Sequence, residues 1–213
     1  MCLIVHKPAG QTLPRELLHS AARYNPHGVG FIALPVDSRA AIYRRVDTDI
    51  DEVLGWAAAH ADDECVFHFR YRTRGAVDLA NTHPLPVTPH IHVFHNGTLA
   101  VDSHTPERSD TWHLASDFLT PVLMQRPALI ANEAFQRMLK AAIGRLNRLV
   151  LVDTAVRRVV IVNREAGIEH EGLWLSNSRW FDPRVLGRTP IHYVGDLRVA
   201  QAIHRIDTTD DAI

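Results

Sequence analysis

Apolar and polar positions fall into blocks along the chain that predict a strand-rich start, two helices in tandem and a strand-rich end. Residues 2–6 (Cys2, Leu3, Ile4, Val5, His6) form a short apolar run broken by Pro8 and Gly10, the pattern of a buried strand. Apolar residues at helical spacing (Leu13, Leu17, Leu18, Ala21) predict a helix over 13–23, with Thr12 as its N-cap. Asn25-Pro26-His27-Gly28 reads as a tight turn into a β run over 29–34, and residues 40–45 return as a second strand. An acid-started helix follows over 49–60. Residues 65–72 alternate apolar and polar groups, as a half-buried strand does, and 74–89 read as a loop with Gly75, Pro84, Pro86 and Pro89.

Residues 90–95 and 98–101 flank Asn96-Gly97, a combination that predicts a β-hairpin. Two amphipathic helices are expected next. One covers 110–124, with Trp112, Leu114, Ala115, Phe118, Leu119 and Val122. The other covers 132–146, capped by Asn132 and carrying Phe135, Met138, Leu139 and Ile143 on one side. Residues 148–153 and 157–163 are β-rich, and 172–177 read as another strand. The order points to a layered α+β domain with two sheets, because one sheet cannot easily bury so many amphipathic segments.

The 213 residues suit a single domain, with no repeat or linker dividing it: a core over 1–182 and a less regular tail over 183–213. With 46% hydrophobic and 22% charged residues, the chain is not of the disordered class. A net charge of −1 removes the electrostatic case for nucleic acid as a partner. Two cysteines cannot form a disulfide framework, which suits a reduced compartment. No run approaches the ~18 apolar residues of a membrane span, and no export signal is evident at the start. The expectation is a cytoplasmic protein with no membrane partner. Its oligomeric state is not legible in the sequence.

Five short groups could carry chemistry. Removal of Met1 would leave Cys2 with a thiol and a free α-amino group, whose ordinary pKa near ~7.7–8.0 lets it act as a base at neutral pH. In the run 68–75, His68 and Arg70 share a strand face, and Arg70 with Thr73 could grip a carboxylate. Asn81-Thr82-His83-Pro84 lies in a loop. Asn96 and Gly97 offer a side-chain amide and a backbone N–H, two donors for an oxyanion. Ser109-Asp110-Thr111 stands at a helix start. Taken singly, each has a plain structural reading: a small core residue, solvated arginines, a turn, a cap.

Their order is more informative than any one of them. Met-Cys at the start, then H-x-R-x-x-T-x-G, N-x-H-P, H-N-G and S-D-T, resembles the class II glutamine amidotransferases, whose glutaminase domains use an N-terminal nucleophile. Asn25–Gly30 and Trp174-Leu175-Ser176-Asn177 fit compact, stand-alone relatives, so the resemblance spans roughly Met1 to Asn177. It implies the four-layer αββα N-terminal-nucleophile hydrolase fold with two stacked antiparallel sheets. It further implies that glutamine is hydrolysed to glutamate and ammonia through a γ-glutamyl thioester. Under that resemblance Cys2 is the nucleophile, and Asn96 and Gly97 hold the oxyanion. Arg70 pairs with the substrate α-carboxylate, helped by Thr73 and His83, and Asp110 binds the α-ammonium group. No metal or cofactor is required, and a separate synthase chain is the expected acceptor of the ammonia.

Trp112 stands where the family often has Glu, His27 where it often has Asp, and Arg72 where a small residue is common. Three other readings compete. One is a hydrolase of larger γ-glutamyl amides on the same fold, and another is a non-catalytic binding version of it. The third is a metal site on His90, His92 and His95 near His83, in which His90 and His92 share a strand face and His95 falls on the other.

Overall fold

A computed structural model describes residues 2–102 and 104–178 and, in backbone only, His192–Tyr193. The tail expected over 183–213 therefore lies outside the described residues except for that pair. Among the described residues, eleven strands form two antiparallel sheets. The seven-stranded sheet contains β1 (Leu3–Lys7), β2 (Val29–Leu34), β3 (Ala41–Arg45), β4 (Glu64–Phe69), β9 (Ile168–His170), β10 (Leu173–Leu175) and β11 (His192–Tyr193), in the order β11-β9-β10-β1-β4-β2-β3. The second runs β5-β6-β7-β8, from β5 (Leu85–Pro86), β6 (Ile91–Asn96), β7 (Arg148–Asp153) and β8 (Arg158–Val162).

Strand parity divides the core into three parts. Leu3, Val5, Phe31, Phe67 and Phe69 point from the large sheet onto α1 (Arg15–Tyr24) and α2 (Ile50–Ala59), meeting Leu17, Leu18, Ala21 and Val53. Ile91, Val93, Leu149 and Leu151 point from the small sheet onto the helical segment that starts at α3 (Asp110–His113) and onto α5 (Glu133–Ile143). The alternate positions Ile4, Ile32, Leu34 and Val66 of the large sheet pack with Phe94, Val150 and Val152 of the small one. Trp174 is fully buried among them and donates its indole N–H to Arg164 O at 2.9 Å. Burying a side chain of this size stabilises the fold by roughly 1.5–3 kcal/mol.

The caps show why several helices start where they do. Asp49 accepts from Asp51 N and Glu52 N, Ser109 from Trp112 N, and Asn132 from Phe135 N. Each supplies an acceptor to a first-turn N–H that has no helical partner.

Five expectations are corrected. Thr12 does not cap α1: the helix begins at Arg15 behind Pro14, which has no side-chain acceptor to offer. Residues 65–72 are not a half-buried strand, because β4 lies inside the large sheet and five of its six residues are buried. The hairpin around Asn96-Gly97 is absent. Asn96 stays in β6 opposite Arg148 of β7, and Leu99 N donates to the Asp110 carboxylate instead of to a returning strand. The helix expected over 110–124 is α3, a π-wound segment (Leu114–Leu119) and α4 (Thr120–Leu123). Met138 faces solvent, while Phe135, Leu139 and Ile143 carry the buried side of α5.

Candidate active site

The beginning of β1 and the ends of β4, β6 and β10 converge at one end of the layer between the sheets. Two contacts tie the sheets together there. Asn96 Nδ2 donates to Ser176 Oγ at 2.8 Å, and the His68 ring lies 3.2 Å from His95 O. Ser176 also accepts from Ile4 N at 2.8 Å, while its own N–H donates to Ile4 O at 2.9 Å.

Cys2 sits at this convergence. Its Sγ lies 3.4 Å from both the N and the O of Tyr71, and Asn177 Nδ2 donates to its carbonyl at 2.7 Å. Burial pushes the thiol pKa up. The hydrogen bonding with Tyr71 and the charge of Arg70 oppose that shift, and the Asp110 carboxylate adds to it. Arg70, Asp110 and Cys2 thus share one electrostatic neighbourhood. The other cysteine differs: Cys65 is fully inside β4, and its thiol is pushed up to about 12, chiefly by burial.

Arg70 is 3% exposed, and its Nη2 donates to Ala76 O at 2.8 Å and Arg74 O at 3.3 Å. Its Nη1 is buried with no partner among the described residues. A buried cationic donor without an acceptor costs several kcal/mol, roughly 1–3 or more, unless a ligand supplies one. Asp110 is also buried. One oxygen accepts Leu99 N at 2.6 Å and the other accepts Thr111 N at 2.9 Å, so the carboxylate is fixed with lone pairs remaining. Thr73 is exposed in the loop after β4.

Gly97 follows Asn96 with φ of +137°, a region that favours glycine, and a Cβ there would stand 2.1 Å from Asn147 Oδ1. Asn147 in turn meets His95 Nε2 at 2.9 Å, and His95 Nδ1 meets Thr111 Oγ1 at 2.7 Å. The Asn96-Gly97 corner is therefore braced from behind by a chain of buried polar groups reaching α3. Asn147 has no local signature in the sequence, because the residue it supports lies fifty positions earlier.

Three histidines in this region are held neutral. Burial drives His68 down to about 3, with Arg70 adding to the effect. His83 is lowered well below its ordinary value by burial and by neighbouring cations, and its ring lies 4.1 Å from that of His68. Burial also lowers His95, outweighing the opposing Asp110 charge. The backbone of His83 presses on β2, where a Cβ on Gly30 would come within 1.6 Å of His83 O. Asn81 joins the loops: its Oδ1 accepts Ser109 N at 2.7 Å and its Nδ2 donates to Glu107 O at 2.8 Å.

The fold is similar to that of a solved amidotransferase. A glutamine phosphoribosylpyrophosphate (PRPP) amidotransferase from B. subtilis, in a structure complexed with ADP and GMP, matches with a TM-score of 0.50 and 12% identity. The match covers 89% of this chain and 44% of that one, so this chain spans less than half the length of its neighbour. At this identity the likeness shows the fold alone. No family model and no curated protein matches the sequence.

The metal reading on His90, His92 and His95 is not supported. His90 is exposed at the far end of β6, whereas His95 is occupied with Thr111 and Asn147. A cavity of about 430 Å³ also lies at that far end, lined by Ile91, Leu123, Ile130 and Val156, and it contains none of the residues of the candidate site. No helix among the described residues is long and apolar enough to cross a membrane.

Proposed function

We propose that the chain is a glutaminase of the class II amidotransferase type, with Cys2 as nucleophile. The observation that carries this reading is the grouping of the Cys2 thiol with a fixed carboxylate, Asp110, and a buried guanidinium, Arg70, that has an unpartnered Nη1. A zwitterionic amino-acid substrate needs one fixed cation and one fixed anion at its α-carbon end. Arg70 and Asp110 are suited to supply them. The three core clusters support the four-layer αββα arrangement that this chemistry uses in the superfamily.

In the proposed reaction, loss of Met1 frees the α-amino group of Cys2. That amine accepts the thiol proton, and the thiolate forms a bond to the side-chain amide carbon of glutamine. The negative charge that develops on the amide oxygen is held by the second N–H of Asn96 Nδ2 and by the backbone N–H of Gly97. The C–N bond breaks as the protonated amine returns its proton to the leaving nitrogen, giving ammonia and a γ-glutamyl thioester. Water then adds to the thioester carbonyl, the C–S bond breaks, and the thiol is regenerated as glutamate leaves. The raised thiol pKa fits this scheme: a neutral thiol beside a free amine can transfer its proton at the moment of attack.

Thr73 and His83 complete the carboxylate side of the reading. Thr73 would act from the exposed loop, and His83 by shaping the floor beneath Arg70 rather than as a charged ligand. The ammonia acceptor is proposed to be a separate synthase chain. The test is ammonia release from glutamine by the processed protein, with Met1 removal checked by intact mass. Cys2→Ala is expected to abolish release with the fold unchanged by circular dichroism. Undiminished release by Cys2→Ala would overturn the assignment. Preference for larger γ-glutamyl amides over glutamine would identify the related hydrolase instead.

A further inference from the structure

His113 closes α3, and Asp117 follows one turn later in the π-wound segment, a local geometry frequent at functional sites. His113 Nδ1 lies 3.0 Å from Asp117 Oδ2, and His104 Nε2 approaches the same oxygen at 3.4 Å. The two imidazole rings meet edge-on at 4.5 Å, and one ligand atom from each of the three residues falls within 4.8 Å of the others. A tetrahedral zinc ion with bonds of about 2.0–2.2 Å sets its ligand atoms roughly 3.3–3.5 Å apart. The first of the two measured separations lies a few tenths of an ångström below that spacing and the second within it, so small rotations would seat an ion.

We propose that His104, His113 and Asp117 form a binding site for a divalent transition-metal ion of the Zn²⁺ class. Two imidazoles and one carboxylate form a mixed N/O donor set, which suits zinc and its neighbours and does not suit calcium or magnesium, which take oxygen ligands. Three protein ligands leave one position for water. The site is half built in advance: the His113 side chain is fully buried, while those of Asp117 and His104 are 30% and 69% exposed and open to an entering ion.

The ion would fasten a specific piece of chain. The segment after Gly97 is tied down at Leu99 by Asp110, and at Glu107 and Ser109 by Asn81. His104 lies between those ties, and its partners Asp117 and His113 continue the helix whose first turn bears Asp110 and Thr111. Metal binding therefore clamps the middle of this segment to the helix that flanks Cys2. The ion takes no part in bond-breaking, and its binding does not depend on the glutaminase reading.

The test uses the full chain stripped by a chelator and titrated with ZnCl₂ by calorimetry, and with CoCl₂ by visible absorption. The wild-type chain is expected to take up one tight equivalent, with Co²⁺ showing intense visible bands of low-coordinate geometry. His104→Ala and Asp117→Ala each lose at least about 100-fold in affinity, since even indirect support of a metal ligand is worth 10–100-fold. His90→Ala, at an exposed histidine outside the cluster, retains wild-type affinity. Zinc also slows proteolytic cleavage within 100–106 in the wild type and not in His104→Ala. The absence of a tight equivalent in the wild type, or equal affinity in His104→Ala, overturns the site. Cleavage unaffected by bound zinc overturns the clamp.

Discussion

Replacing Ser176 by alanine tests the junction between the two sheets and the preparation of Asn96 in one experiment. The hydroxyl accepts Ile4 N and Asn96 Nδ2, both at 2.8 Å, and Ser176 is fully buried. Alanine fits the space but leaves two buried N–H donors without an acceptor. At about 1–3 kcal/mol for each orphaned donor, and allowing for partial relaxation, the loss is about 3 kcal/mol. For a chain of this length that corresponds to a fall of roughly 6–12 °C in Tm. Urea unfolding is the suitable assay, because a lower midpoint at unchanged m isolates stability from compactness. Asn96 is also released from its anchor, so ammonia release is expected to fall about 100-fold in kcat, as misplacement by ~1 Å does. The KM for glutamine should move little, since Arg70 and Asp110 are untouched. A double-mutant cycle with Asn96→Ala should give a coupling of 1 kcal/mol or more, within the usual range of roughly 0.5–3 for residues in contact. A loss below about 1 kcal/mol with no coupling would refute the bridging role. A large stability loss with unchanged kcat would refute Asn96 as the oxyanion donor.

Gly97→Ala should destabilise by about 3 kcal/mol, because the new methyl meets Asn147 Oδ1 at 2.1 Å on a backbone at φ of +137°. A shift in the urea midpoint equivalent to less than ~1 kcal/mol would contradict that packing. Acid should unfold the protein steeply. His68, His83 and His95 are all lowered in the fold, so they favour the folded state above the unfolded value near ~6.5, and that contribution is lost as pH falls below it toward the folded values, about 3 for His68. The two strongly lowered groups, His68 and His83, give a slope of up to about 2.7 kcal/mol per pH unit below pH ~5.5, and His83→Gln should remove about 1.4 of it; an unchanged slope would show that His83 is not held neutral. Alkylation of Cys2 by iodoacetamide should be slow at neutral pH while Met1 is attached and faster once it is removed, because the terminal ammonium, which already opposes the burial-raised thiol pKa from Met1, is then carried by Cys2 itself. Equal rates in the two forms, followed by mass spectrometry, would separate the amine from the thiol.

Local signals in the sequence placed most elements. The apolar runs over 29–34 and 148–153 are strands, Asn132 caps the helix it is expected to cap, and the acid-started helix expected over 49–60 is present with Asp49 as its cap. The hairpin expectation failed for a nonlocal reason. Asn-Gly is a turn signal only while its amide and backbone are free to close the turn. Here Asn96 is taken by Arg148 in the ladder and by Ser176, eighty residues away. No window of ten residues contains those partners. Ser176 and Asn147 support Asn96 and Gly97 from equally distant positions that no local pattern links to them. Thr12 carries a cap signal that Pro14 overrides, because the helix starts behind the proline at Arg15.

The error over 65–72 is more instructive. Alternation of apolar and polar residues was read as a strand with one wet face, yet His68 and Arg70 are buried on the face shared with Val66. The same parity holds elsewhere: Ile4 follows Cys2 by two positions, Asn96 follows Phe94, and Ser176 follows Trp174. On each of these four strands an apolar residue fills the middle of the layer between the sheets, and a polar residue two positions away, or four in the case of Arg70, lies at the same end. Alternation in a two-sheet protein therefore has two meanings, and burial of the middle residue distinguishes them. A solvent face repeats polar residues along the whole strand, whereas here an apolar residue holds the centre of the face and polar residues flank it at both ends, with His6, Glu64 and His92 opposite the candidate site. Parity puts Cys2, Arg70, Asn96 and Ser176 on the inner faces; the register that pairs Leu3 with Phe69 and Val5 with Leu175, and the Asn96–Ser176 bond, bring them to one end, where the braced corner at Gly97 is the place the chain leaves the layer.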